Sequence, residues 1–207
     1  MTNLLEKLIR FVAVFVLAFE MPVPVYWLVL HGPVSFWRKH RRSAFPVAVL
    51  AAWGIGDAVL FLFHRELFRP DSMSWVAAAA LVLIGFDVFT FSTCEAALGS
   101  RRIVGHSELA GSRELIARGL YARVRHPRYL GMMAGVFGAC LVIAALPLWT
   151  VSVAWLLLAL ISIRAEEHEL RDRLGATYAA YSEQVPALLP FRLISRQSHI
   201  ASRRNRT

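Results

Sequence analysis

The apolar residues of this chain fall in four long blocks, at about residues 8–30, 44–63, 73–98 and 129–164, with charge gathered between them. A helix of roughly 20 apolar residues matches the ~30 Å hydrocarbon core of a bilayer, and inside lipid a helix satisfies all of its own backbone groups. With 57% hydrophobic residues, 18% charged and a mean hydropathy of +0.51, the composition excludes an ordinary soluble domain. The expected fold class is all-α: a polytopic integral membrane protein of about five transmembrane helices, including a C-terminal helical hairpin, plus a cytoplasmic amphipathic helix.

The net charge of +9 would suit nucleic acid, but the Lys and Arg residues cluster in the connections between apolar blocks, as the positive-inside bias requires. Nucleic-acid binding is discounted on that pattern. The two cysteines, Cys94 and Cys140, lie inside apolar blocks with no paired spacing, so neither a disulfide framework nor a zinc site follows. No glycine-rich dinucleotide fingerprint, Walker loop or internal repeat is present, and a nucleotide-like cofactor must be held in another way.

In the first block Glu20, Pro22 and Pro24 predict a kink or break covered by neighbouring helices. The run Arg38-Lys39-His40-Arg41-Arg42 carries no acid and is placed in the cytoplasm. The second and third blocks carry Asp57 and Asp87, which either line a cavity or hydrogen-bond a neighbouring helix. Residues 99–128 are too polar to span and hold seven arginines, again a cytoplasmic signature. Residues 129–164 are short for two full crossings and predict a tight hairpin that returns to the same side. Leu170, Leu174, Tyr178 and Tyr181 then recur at helical spacing, predicting an amphipathic surface helix interrupted by Gly175. Charge puts the amino terminus outside, against which Lys7 and Arg10 argue. The organisation expected is residues 1–98 as N-terminal membrane helices, 99–191 as the cofactor-binding and catalytic region, and 192–207 as a basic disordered tail.

Chemistry concentrates at residues 119–131, where Arg125 and His126 precede Pro127. Proline suits the first helical position and pushes His126 out of the helix, so the helix start faces back toward water with free N–H groups, a setting for an anion. The hairpin's return brings Arg164, Glu166 and Glu167 beside Arg125 and His126, with Tyr129 one turn in. Arginine and histidine suit the anionic end of a ligand, and paired carboxylates suit a cation or paired hydroxyls. A zwitterion bearing a ribose fits both. No metal is expected, because adjacent residues of the series Glu166, Glu167, His168, Glu169 point about 100° apart on a helix. By the same geometry Glu169 points elsewhere, and its substitution is expected to be nearly silent.

Residues 115–190 resemble the integral membrane methyltransferases that include isoprenylcysteine carboxyl methyltransferases and phospholipid methyltransferases. The matching positions are Gly119, Tyr121, Arg125-His126-Pro127, Tyr129 and Gly131, then Arg164, Glu166-Glu167, Leu170, Gly175, Tyr178, Tyr181, Pro186 and Pro190. The resemblance implies S-adenosylmethionine as cofactor, in a pocket between the hairpin and the surface helix, held by Tyr121, Arg125, His126, Tyr129, Gly131, Glu166 and Glu167. It implies catalytic roles for Arg164 and Glu167, and a lipophilic acceptor or lipid reaching the site from the membrane. A bacterial inner membrane with the active site on the cytoplasmic side is expected.

Methyl transfer asks for in-line alignment and exclusion of water. A carboxylate acceptor needs only orientation, whereas an amine needs a base, for which a buried glutamate is the candidate. Both residue types are present, and the choice stays open. A nicotinamide-dependent membrane sterol reductase shares part of the pattern but generally carries an acid after the glycine matching Gly131, where this chain has Met132. That reading, and a non-enzymatic membrane scaffold, are the alternatives.

Overall fold

The computed structural model describes residues 2–67, 76–99, 105–112 and 114–189. The described residues form α1 (Thr2–Glu20), α2 (Val23–His31), α3 (Val34–Lys39), α4 (Arg41–Leu62), α5 (His64–Leu67), α6 (Ala77–Leu98), α7 (His106–Ala110), a 3-10 turn (Gly119–Ala122), α8 (Pro127–Ile143), α9 (Leu146–Leu174) and α10 (Ala176–Gln184). There is no strand among them. Among the described residues four stretches are long and apolar enough to cross a membrane: Leu4–His31 (α1 with α2), α4, α6 and α9, while α8 is a shorter apolar helix. The protein is all-α and polytopic in the membrane. The tail at 192–207 and the connection at 68–75 lie outside the described residues, as does 100–104 of the basic loop.

Two prolines produce the expected break between α1 and α2. Pro24 has no N–H to offer the carbonyl of Glu20, and the indole of Trp155 on α9 donates to that carbonyl instead, at 3.3 Å. Ser162, about two turns further along α9, donates to the Pro24 carbonyl at 2.9 Å. These bonds satisfy backbone groups that lipid would leave bare. They also tie the amino-terminal helices to α9.

Helix α8 packs along α6 through a row of glycines at 131, 135 and 138, one face of a helix. A Cβ at Gly135 would come within 2.5 Å of Asp87 Oδ2, and one at Gly138 within 2.8 Å of the Ala80 carbonyl. At the start of α8 the Arg128 guanidinium pairs with two buried acids from different helices. Asp87 of α6 accepts from Nη1 at 2.5 Å, Glu20 of α1 accepts from Nη2, and the guanidinium lies over the Phe91 ring at 5.1 Å. A charge buried in apolar surroundings is costly unless paired, so this trio fixes how α1, α6 and α8 meet. Asp87 therefore takes the helix-joining role. Asp57 takes neither expected role, since it is exposed on α4.

The hairpin between α8 and α9 turns at Ala144, a left-handed residue (φ 55°) whose N–H caps the Cys140 carbonyl at 2.8 Å. Pro147 follows in the first turn of α9. At 29 residues α9 runs about 43 Å, well past the hydrocarbon core. Its last turns therefore stand beyond the membrane, and this corrects one expectation: Leu170 and Leu174 end α9 rather than opening the surface helix. The chain breaks at Gly175 (φ 57°, ψ −130°), a conformation closed to side-chain-bearing residues, and α10 starts in a new direction.

Candidate active site

Between α7 and α8 the chain settles through the 3-10 turn and a short irregular stretch before Pro127 restarts the helix. The backbone N–H of Arg125 donates to the Pro186 carbonyl at 2.8 Å and that of His126 to Ala187 at 2.9 Å, so this stretch is stitched to the segment after α10. The Arg125 side chain completes the seam. Its Nη1 donates to the carbonyls of Ser182 (2.9 Å) and Val185 (2.5 Å), and Nε and Nη2 donate to Glu167 Oε1 at 2.9 and 2.6 Å. His126 Nε2 lies 3.2 Å from the same oxygen and Nδ1 lies 3.7 Å from Glu166. Arg171 donates to the other oxygen of Glu167 at 3.0 Å. The planar fork of arginine is what allows one side chain to hold a carboxylate and a helix end together.

Above this seam is a cavity of about 340 Å³ with two unlike walls. Tyr121, His126, Tyr129, Glu166, Tyr178 and Tyr181 form the polar one, together with Arg125. The Tyr129 and Tyr178 hydroxyls are buried with no hydrogen-bond partner among the described residues, whereas Tyr181 donates to the Tyr121 carbonyl at 2.6 Å. Buried hydroxyls seldom go unpaired, so the two bare ones call for a polar ligand. Burial pushes the Tyr121 and Tyr178 phenols above their ordinary range, and it pushes Tyr181 up to about 12 against the opposing pull of Arg125. At neutral pH all three are donors. Phe19, Val23, Trp53 and Phe91 form the apolar wall, with Arg128 where the two walls meet. This wall is built from α1, α2, α4 and α6, all membrane-spanning segments.

The structure thus brings Tyr121, Arg125, His126, Tyr129 and Glu166 to one cavity. Glu167 stands just behind it, holding Arg125 and His126. Gly131 faces α6 rather than the cavity, where a Cβ would collide with Thr90. Arg164 is exposed and does not line the cavity. On α9 it lies two residues from Glu166, about 200° around the helix, which the helical period could have revealed. Glu169 is no bystander: it is buried, and Arg38 (2.7 Å) and Arg173 (2.9 Å) both pair with it. The sequence reading missed Arg128, whose partners lie 108 and 41 residues away, and Arg173, which lines the cavity and donates to the Ser112 carbonyl. It also missed Glu114, Leu115 and Ile116 of the cavity's rim.

The described residues thus form an all-helical membrane bundle in which a polar seam closes one end of a half-apolar chamber. The phospholipid methyltransferase family model matches residues 74–177, half of the chain, and the chain belongs to that family. It is 29% identical over 168 residues to protein-S-isoprenylcysteine O-methyltransferase of Rattus norvegicus and 26% identical over 162 residues to that of Homo sapiens. Each match covers 76% of this chain and 54% of the relative, so the chain spans about half the length of the curated relatives it matches. No solved structure matches it.

Proposed function

We propose that the chain transfers a methyl group from S-adenosylmethionine to a lipophilic acceptor dissolved in the membrane. The observation that carries this reading is one cavity whose one wall is polar, with two tyrosine hydroxyls unpartnered among the described residues, and whose other wall is apolar and built from membrane helices. The relatives are named as O-methyltransferases of S-isoprenylcysteine in protein, and the family as phospholipid methyltransferases, which supports a lipophilic acceptor.

The residues present fit the cofactor. Tyr129 and Tyr178 have unused hydroxyls for its polar groups, Glu166 offers a carboxylate to its ammonium or ribose, and four tyrosine rings offer negative faces to a cation. When bound, S-adenosylmethionine supplies an electrophilic methyl group on a sulfonium. The protein's own contribution is placement. Arg125, clamped by Glu167 and by the carbonyls of Ser182 and Val185, seats α10 as a cover over the cavity, and that cover excludes water. Glu167 acts through Arg125 and His126 and is a positioning residue. Trp53 and Phe91 receive the acceptor's apolar part, and Arg128, with its two acids, is the charged group nearest that chamber. The basic segments Arg38-Lys39-His40-Arg41-Arg42 and 118–128 surround the same end of the bundle, which favours a cytoplasmic site.

Thermal unfolding of the purified chain with each cofactor tests the reading, since a ligand that binds only the folded form raises its stability, by about 2.7 kcal/mol at a hundredfold excess over Kd. S-adenosylmethionine or its demethylated product is expected to raise the melting temperature, and a nicotinamide dinucleotide to leave it unchanged. Stabilisation by the dinucleotide alone would overturn the proposal.

A further inference from the structure

A second cleft lies across α9 from the main cavity. The helical period sorts the end of α9 into two faces: Glu166, Leu170, Arg173 and Leu174 line the main cavity, whereas Ala165, His168, Glu169 and Asp172 line the second cleft. The far side of the cleft is the turn from α2 to α3, with Gly32, Val34, Ser35 and Arg38. Its volume is about 370 Å³.

The inner wall is His31. It is 5% exposed, and among the described residues neither Nδ1 nor Nε2 has a hydrogen-bond partner. The ring is held in place by stacking on Trp27, with centroids 5.1 Å apart and planes 22° apart. A buried imidazole left without partners is costly, and each such group in a folded protein calls for an occupant. A water molecule, whose share of liquid volume is about 30 Å³, would use a small part of the space. The cleft has room for a headgroup.

Charge sets the class of that occupant. Arg38 and Arg173 converge on Glu169 at 2.7 and 2.9 Å, inside the cleft. Asp172 also lines the cleft, but it is 70% exposed and 3.5 Å from His168, so water screens its charge. Lys39, His40, Arg41 and Arg42 follow Arg38 directly in the chain and are exposed, adding three further firm positive charges and no acid. Guanidinium groups match phosphate geometry, and an exposed run of cations next to Arg38 draws anions. Position points the same way. His31 is the last residue of the span Leu4–His31, so the cleft opens where the hydrocarbon ends and the headgroups begin.

We propose that this cleft is a phosphate-binding site, filled by the phosphate of an anionic lipid headgroup or by a free phosphate anion. One nitrogen of His31 donates to a phosphate oxygen, the other accepts from a hydroxyl on the phosphate or the headgroup, and Arg38 with Arg173 supplies positive charge. The site stands apart from the methyl-transfer reading and does not depend on it. It touches the main cavity through one side chain, Arg173, which lines both and donates to the carbonyl of Ser112, two residues before Glu114 on the cavity rim.

The test uses the full chain and reads thermal unfolding in two arms. In neutral detergent, inorganic phosphate is titrated against chloride at matched ionic strength. In vesicles of phosphatidylcholine, the fraction of phosphatidylglycerol is raised stepwise. A saturable rise in melting temperature is expected in at least one arm: in the detergent arm alone it identifies the free anion, and in the vesicle arm alone the headgroup. His31→Leu removes both ring nitrogens from a buried position, so the unliganded protein is expected to melt no lower, while the response disappears. Arg38→Gln, at a side chain 36% exposed, is expected to move the midpoint at least tenfold. Arg65→Gln, on α5 beyond the far end of α4, is expected to leave the midpoint within twofold. No saturable rise in either arm would overturn the proposal, and so would a rise that both His31→Leu and Arg38→Gln leave unchanged.

Discussion

Side chains one to three positions apart on α9 have different duties, and substitution separates them. Glu166 lines the cavity with its side chain 25% exposed, whereas Glu167 is turned to the Arg125 and His126 seam. Glu166→Gln is expected to weaken S-adenosylmethionine binding about tenfold with little change in melting temperature. Glu167→Gln keeps the shape but removes the charge that Arg125, His126 and Arg171 share, and hydrogen bonds to a charged group contribute about 1.5–3 kcal/mol. Both stability and affinity are expected to fall. Glu169→Gln, between Arg38 and Arg173, is expected to lower the melting temperature more than Glu166→Gln does. Isothermal titration alongside thermal unfolding checks all three. Affinity unchanged in Glu166→Gln would remove Glu166 from the cofactor wall. The cavity residues Arg125, His126 and Tyr129 were legible because a proline-primed helix start and a returning hairpin are local patterns. Arg128 was not, because its role exists only where α1, α6 and α8 converge.

At the scale of elements, the direction of α10 depends on one residue. Gly175 holds φ 57° and ψ −130°, and a side chain there strains the backbone by about 1–3 kcal/mol. Gly175→Ala meets no neighbouring atom, so the cost lies in the backbone alone. The chain can relieve it by re-aiming α10, which carries Tyr178 and Tyr181 away from the cavity and loosens the Arg125 bonds to Ser182 and Val185. S-adenosylmethionine affinity is therefore expected to drop at least tenfold, while far-UV circular dichroism stays unchanged. Retained affinity would mean that α10 does not cover the ligand. The membrane helices were legible from block length, and the α1–α2 break from its prolines. The end of α9 was not, because Leu170, Leu174, Tyr178 and Tyr181 keep helical spacing on both sides of Gly175. Periodicity cannot report a change of direction that leaves the spacing intact.

Across the whole molecule, the two walls of the cavity belong to different halves of the chain. Residues 119–181 bring the polar wall, and α1, α2, α4 and α6 bring the apolar one, so neither half encloses the site alone. Val49 and Trp53 of α4 stand on one side of the chamber and Phe91 of α6 on another, and Val49 remains 43% exposed at a depth where the surroundings are lipid. A soluble acceptor would have to pass α10 and the Arg125 seam, whereas a membrane-dissolved one meets the apolar wall directly. The bilayer also concentrates such an acceptor, so the protein's binding energy goes into orientation. Native membranes containing the chain, incubated with methyl-labelled S-adenosylmethionine and then separated into lipid, protein and water-soluble fractions, are expected to carry the label in lipid or in lipid-modified protein. Release of the label as methanol by mild base identifies a methyl ester and hence a carboxylate acceptor, and base-stable label identifies an amine. Trp53→Ala, which enlarges the apolar wall without touching the polar one, is expected to lower labelling while S-adenosylmethionine still raises the melting temperature. Label confined to the water-soluble fraction would show that the apolar wall does not receive the acceptor.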